Sequence, residues 1–162
     1  MIRELTANDA SAILNIYRLG LETRNATFET RVPTWEEWNK KFHRHSRLVF
    51  TEENTIKGWA GLTPFSTREV YKGVAEVSIY VHPSFHGEGI ATRLLKALIP
   101  SSEEHNTWTL FSSVFPENNA TIKLHENLGF KLLGRREKIA KLEGVWRDTL
   151  IFERRSQRVG ID

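Results

Sequence analysis

Glu76 is the single acidic side chain in a run that is otherwise apolar or small, Val74-Ala75-Glu76-Val77-Ser78-Ile79-Tyr80-Val81. In a strand, alternation puts Glu76, Ser78 and Tyr80 on one face and Ala75, Val77, Ile79 and Val81 on the other, core-seeking face. A carboxylate hemmed in by apolar groups has a raised pKa and can take a proton near neutrality. On a solvated strand face it would be an ordinary surface charge, and the residues alone leave both readings open. The run ends before Pro83, and His86-Gly87-Glu88-Gly89-Ile90-Ala91 then makes a glycine turn that opens a helix. The first N–H groups of a helix have no internal partners and carry partial positive charge, so such a turn can hold an anion. Glycine lets the backbone come close to a phosphate; a plain tight turn is the competing reading. The spacing matches neither a dinucleotide fingerprint nor a P-loop, since no Gly-Lys-Ser/Thr follows. His125 is a third candidate, an imidazole able to accept or deliver a proton, or else a residue of a helix surface.

The elements that must position these groups read as one mixed α/β domain over residues 1–155, followed by a short basic tail at 156–162. Ile2 to Glu4 forms a short strand, and Asn8 or Asp9 caps a helix running to about Glu22, with Ala12, Ile13, Ile16 and Tyr17 as its apolar stripe. Thr34 caps a second helix, Trp35 to about His43, with Glu37 at the capping-box position. Arg47–Thr51 and Ile56–Leu62 read as a hairpin turning at Glu53, Asn54 and Thr55. Val74 to Val81 is a strand, and the helix after the glycine turn is expected to stop at Pro100. Thr107–Phe115 reads as a strand and Asn118–Leu128 as a helix closed by Gly129. Phe130–Ile139 and Val145–Glu153 form a last strand pair around Glu143-Gly144.

Composition narrows the function classes. The 162 residues carry 23 basic and 20 acidic side chains, a net charge of +3, without the concentrated basic stripe of a nucleic-acid binder. The densest basic cluster, Arg154, Arg155 and Arg158, reads as a solvated tail. Cysteine is absent, which excludes disulfides, thiolate metal sites and a cysteine nucleophile. His43 and His45 are too close in sequence for a helical metal pair, and no metal is expected. Neither a signal peptide nor a membrane-length apolar run is present, so a cytoplasmic protein without nucleic-acid or membrane partners is expected.

His86-Gly87-Glu88-Gly89-Ile90-Ala91 resembles the acetyl-CoA signature of the GNAT acetyltransferases, with His86 in place of the usual Arg or Gln. Asn118-Asn119-Ala120 through Leu128-Gly129-Phe130 is similar to that family's Asn-led helix ending in Gly-Phe. Arg68-Glu69-Val70-Tyr71 before the Glu76 strand, Leu124-His125-Glu126, and Gly144-Val145-Trp146-Arg147-Asp148 resemble the phosphinothricin acetyltransferase branch, and the likeness runs to about Arg154. The resemblance implies the GNAT fold, a central, mixed but mostly antiparallel sheet flanked by helices. It also implies acetyl-CoA as cosubstrate. Its pantetheine arm would pair with the backbone of Ile79, Tyr80 and Val81. Its pyrophosphate would be wrapped by Gly87, Glu88, Gly89, Ile90, Ala91 and Thr92, with Asn118 and Asn127 in further contact.

The implied reaction is direct attack of a primary amine on the thioester, with Glu76 as base and His125 assisting proton movement or positioning substrate. An alkyl amine must lose a proton before it can attack. The implied acceptor is amino-acid-like, of the phosphinothricin, methionine sulfone or methionine sulfoximine type. Phe28 and Tyr71 are expected to line its pocket, and Arg68 and Lys72 either pair with its carboxylate or face solvent. A peptide N-terminus, lysine, polyamine or aminoglycoside is the alternative acceptor, and a non-catalytic CoA-binding module the alternative class. The branch's habit of pairing implies a homodimer, for which the sequence itself carries no signal.

Overall fold

The computed structural model describes residues 1–162, and its elements follow the hydrophobic patterning closely. Strand β1 (Ile2–Glu4) leads into helix α1 (Ala10–Glu22) and helix α2 (Trp35–Lys41). The hairpin β2 (Leu48–Glu52) and β3 (Thr55–Pro64) follows, then β4 (Val74–Val81). Helix α3 (Ile90–Glu104), β5 (Thr109–Val114) and α4 (Asn119–Asn127) lead to the closing hairpin of β6 (Lys131–Leu142) and β7 (Val145–Arg155). All seven strands form one sheet in the order β1-β2-β3-β4-β5-β7-β6. Only the β4–β5 contact is parallel, so the sheet is mixed and mostly antiparallel, as expected. No helix is long and apolar enough to cross a membrane.

Each face of the sheet is buried beneath helices. On one side Ala75 and Val77 of β4 join Leu110 and Val114 of β5 against Leu94, Leu95 and Leu98 of α3. On the other, α1 and α2 bring Ile13, Tyr17, Trp38 and Phe42 against Val49 and Trp59, with Tyr80 packed alongside. Helix α1 crosses this face closely because residue 20 is glycine: an added Cβ would lie 2.5 Å from the Tyr80 ring. The aromatic cluster is held by edge-to-face and stacked contacts, Tyr17 on Tyr80 at 4.8 Å and Trp38 on Phe42 at 4.3 Å between centroids. The face that carries Glu76 is therefore covered.

Two expectations are corrected. Helix α3 does not stop at Pro100 but continues through it to Glu104. A mid-helix proline removes one hydrogen bond and costs about 3 kcal/mol, and here tertiary anchoring outweighs that cost. Beyond Pro100, Ser102 is fully buried and donates to the Ile99 carbonyl, while Glu103 accepts from Ser156 Oγ at 2.8 Å and from Arg154 at 3.1 Å. The basic C-terminal segment, in turn, is not a solvated tail. Arg154 and Arg158 converge on Glu103, Ser156 is buried, and Arg155 donates to the carbonyls of Ser156, Val159 and Gly160.

Burial raises the Glu103 pKa, but the Ser156 hydroxyl and the two arginines outweigh it and hold the carboxyl below its ordinary range. A depressed carboxyl pKa contributes stability above its unfolded value and loses it as pH falls through the folded one. Glu103→Ala is therefore expected to lower stability by about 2 kcal/mol at pH 7, or roughly 4–8 °C in Tm for a domain of this size. Thermal unfolding at pH 7 and pH 3 checks this, with the gap between variant and wild type closing at the lower pH.

Candidate active site

The parallel ladder of β4 on β5 comprises three pairs, Val74↔Thr109, Ala75↔Leu110 and Glu76↔Phe111, and then stops. Each strand stays paired on its outer side, β4 with β3 up to Val81 and β5 with β7 up to Val114. The strands therefore splay from Val77 and Ser112 onward. Their facing edges border a cleft of about 1020 Å³, which runs from the α1–α2 loop to the start of α3 and along α4. Glu76 sits at the apex of the split.

At the far end of β4 the chain turns through His86–Gly89 into α3. Gly87 and Gly89 have φ of 84° and 73°, and a Cβ built on either meets nothing within 4 Å. The positive φ favours glycine, and the open space beside it is room for a ligand. The N–H groups of residues 87–92 find no backbone acceptor; the first bond of this helix runs from Arg93 to the Gly89 carbonyl. Ile79, Tyr80, Val81, Gly87, Gly89, Ile90, Ala91 and Thr92 all line the cleft. Glu88 does not, and its carboxylate lies 3.5 Å from Lys57. His86 turns back, its Nε2 3.0 Å from the Val81 carbonyl. Asn118 caps α4 by accepting from the Thr121 N–H, and its Nδ2 donates to the Asn25 carbonyl at 3.3 Å, tying the α1–α2 loop to the cleft wall. Asn127 lines the cleft at the other end of α4.

Burial pushes the Glu76 carboxyl above its usual range, against the opposing pull of Lys41 and Arg136, and no hydrogen bond contributes. The group is thus desolvated and uncommitted, as a proton acceptor must be. His125 is 3% exposed, with Nδ1 2.7 Å from the Thr121 carbonyl and Nε2 2.7 Å from Ser112 Oγ. A carbonyl only accepts, so Nδ1 carries the proton, and the neutral Nε2 accepts from the Ser112 hydroxyl. Burial lowers the imidazole pKa, and the Thr121 bond offsets only part of that. His125 thus has both ring nitrogens engaged within the protein, and Ser112 is its link toward the split edge of β5.

The pairing register separates these groups. Glu76 shares its face with its partners Thr63 and Phe111, whereas Ser112 lies on the opposite face with Leu110 and Val114. Of the residues expected to meet substrate, Phe28 lines the cleft and packs edge-on against Phe115. Arg68, Tyr71 and Lys72 are not brought to it: Arg68 lies over the Tyr71 ring and Lys72 pairs with Glu69. Sequence reasoning missed Ser112, Lys41, Arg136 and Thr149, which line the cleft. Only Ser112 carried a signal, as the polar member of the inward alternation Leu110-Ser112-Val114. No group of three or more His, Cys, Asp or Glu is disposed to hold a metal.

Known proteins agree with this geometry. A methionine sulfoximine/methionine sulfone acetyltransferase from Pseudomonas aeruginosa is 28% identical over 90% of this chain and 83% of its own length. A phosphinothricin acetyltransferase from Sinorhizobium meliloti, solved in complex with acetyl-CoA, superposes with a TM-score of 0.89 at 26% identity, covering 100% of this chain and 91% of that one. A ribosomal-protein-alanine N-acetyltransferase from Brucella melitensis gives 0.90 at 28% identity over 96% and 99% of the two chains. Residues 11–130 match the acetyltransferase (GNAT) family. The chain belongs to the GNAT acetyltransferases and is similar to their phosphinothricin and methionine sulfoximine branch.

Proposed function

We propose that this enzyme transfers the acetyl group of acetyl-CoA to the primary amine of a small amino-acid-like acceptor of the phosphinothricin, methionine sulfone or methionine sulfoximine type. The observation that carries the reading is the β4–β5 split, with a desolvated carboxylate at its apex and free helix N–H groups at its mouth. The cleft-facing edge of β4 at Ile79–Val81, whose other edge is paired with β3, suits the amide-bearing pantetheine arm, and the N–H groups of residues 87–92 suit the pyrophosphate. Asn118 and Asn127 border the same path.

In this reading the amine approaches from the Glu76 face and gives Glu76 a proton, directly or through water. It then attacks the thioester carbonyl, which a strand N–H polarises. Collapse of the tetrahedral adduct breaks its C–S bond, and the second proton lost by the attacking nitrogen goes to the departing CoA thiolate, on the face where the Ser112 hydroxyl is held by His125. The S. meliloti and P. aeruginosa relatives support the donor and the acceptor class by their names. The B. melitensis structure favours a second reading, in which the acceptor is a protein N-terminus. Fed by acetyl-CoA, the reaction belongs in the cytoplasm. A homodimer completes the proposal, supported by Leu132, Leu133, Ile139, Val145 and Trp146, which leave the terminal hairpin with an apolar surface. Sedimentation at twice the chain mass is expected, and a monomer at assay concentration would remove it.

CoA-thiol release across phosphinothricin, methionine sulfone, methionine sulfoximine, spermidine, an aminoglycoside and a short peptide tests the acceptor. Turnover on the amino-acid analogues is expected, with Glu76→Gln lowering kcat about 10²–10⁴-fold. The acid limb of the wild-type pH profile should sit above the ordinary carboxylate value of 4.5 and disappear in the variant. The sign for stability is opposite. A carboxyl whose folded pKa is raised contributes stability below its unfolded value and loses it as pH rises through the folded one, so Glu76→Gln should raise Tm at neutral pH. Turnover confined to the peptide moves the acceptor to the second reading.

A further inference from the structure

Among the cleft-lining cations with no ion-pair partner, two exposed ones, Lys41 and Arg136, act on Glu76. Lys41 ends α2 and Arg136 stands on β6 where the β6–β7 register shifts, and neither belongs to any of the chain's salt bridges. Both line the cleft and both act electrostatically on Glu76, so the three groups border the same part of it. Arg136 shares its face with Thr149, its partner on β7, which carries the same face as Phe111 and Glu76 through the β5–β7 ladder. Phe28, Phe42 and Ile139 supply apolar wall around the space. The phosphate cradle lies elsewhere, at the start of α3, so these cations are not needed there. The cations first expected to meet substrate, Arg68 and Lys72, are turned onto Tyr71 and Glu69.

Resting on the acetyl-transfer reading above, we infer that Lys41 and Arg136 form the subsite for a carboxylate on the acceptor, so that the enzyme selects a free amino acid over a polyamine or a carboxyl-blocked amine. The chemistry is a zwitterion match. The acceptor's ammonium meets the Glu76 carboxylate, with Glu29 also bordering the cleft, and its carboxylate meets two otherwise unpaired cations. Both cations are solvent-exposed at the cleft, so the selectivity comes from two charge-assisted contacts made together on one carboxylate. A polycation would bring its second charge against Lys41 and Arg136.

The test compares L-methionine sulfone with its carboxamide, by calorimetric binding to the CoA-loaded enzyme and by thiol release with acetyl-CoA. Wild type, Lys41→Met and Arg136→Met are assayed, and acetyl-CoA affinity serves as the check on folding. In wild type the acid is expected to bind about 10- to 100-fold tighter than the amide, the scale of a contact to a charged group. Each variant should cut that ratio about tenfold, with the change in KM rather than kcat. Equal binding of acid and amide by wild type, a ratio untouched in both variants, or no binding of either compound overturns the subsite. A wild-type preference for the acid that the variants lose, without thiol release from any acceptor, upholds the subsite and removes the transfer reading instead.

Discussion

The pairing of β4 with β5 is parallel, and it ends after Glu76↔Phe111. Two neighbours keep the strands from closing again: β3 holds β4 through Val81, and β7 holds β5 through Val114. Behind each strand a helix packs against the same side of the sheet. Helix α3 lies against β3 at Gly58, where a Cβ would be 3.2 Å from Ile90 and Leu94, and α4 is pinned through the His125 ring against Phe130 and Phe152. Backbone groups that would complete a continuous sheet are left facing a cleft. Unpaired backbone in a protein interior is costly unless something binds it, so the split makes the strand edge itself a recognition surface.

The split also sorts the chemistry by face. Because β residues alternate, the shift of one position from Glu76↔Phe111 to Ser112 moves the side chain from one side of the sheet to the other. A thioester threaded between the strands would meet its proton acceptor on one side and the Ser112–His125 pair on the other. In the proposed reaction the incoming amine and the leaving thiol would therefore be served from different faces of the sheet. It also explains why the two titratable groups are tuned differently: Glu76 is desolvated and uncommitted, while His125 is locked in one tautomer by Thr121 and Ser112.

Much of the fold was legible because local and tertiary preferences agree. The Thr34–Glu37 capping box and the Gly129 stop appear where their residue types place them. Glu76 and the glycine turn stood out locally, as a charge in an apolar strand and glycines before a helix, but the residues alone left each with a plain structural reading, and the family resemblance singled them out. Pro100 misled because its cost is local while the anchoring of Ser102 and Glu103 is not. The basic C-terminal segment misled likewise, its arginines being answered by a carboxylate some fifty residues away in sequence. Lys41 and Arg136 carried no local signal at all, because the sheet order and the register of the last hairpin bring them beside Glu76. Charged residues on α2 and β6 look alike until topology separates those facing the cleft from those facing water.

The most direct measurement is amide hydrogen exchange of the enzyme with and without acetyl-CoA, resolved by residue. The account predicts strong added protection at the N–H groups of Gly87–Thr92 and at Ile79 and Val81, whose N–H groups face the cleft, with little change on β2 or β6. Binding of acetyl-CoA that leaves those amides exchanging as before, or that protects a different surface, would contradict the assignment of the β4–β5 split as the place where the acetyl donor is held.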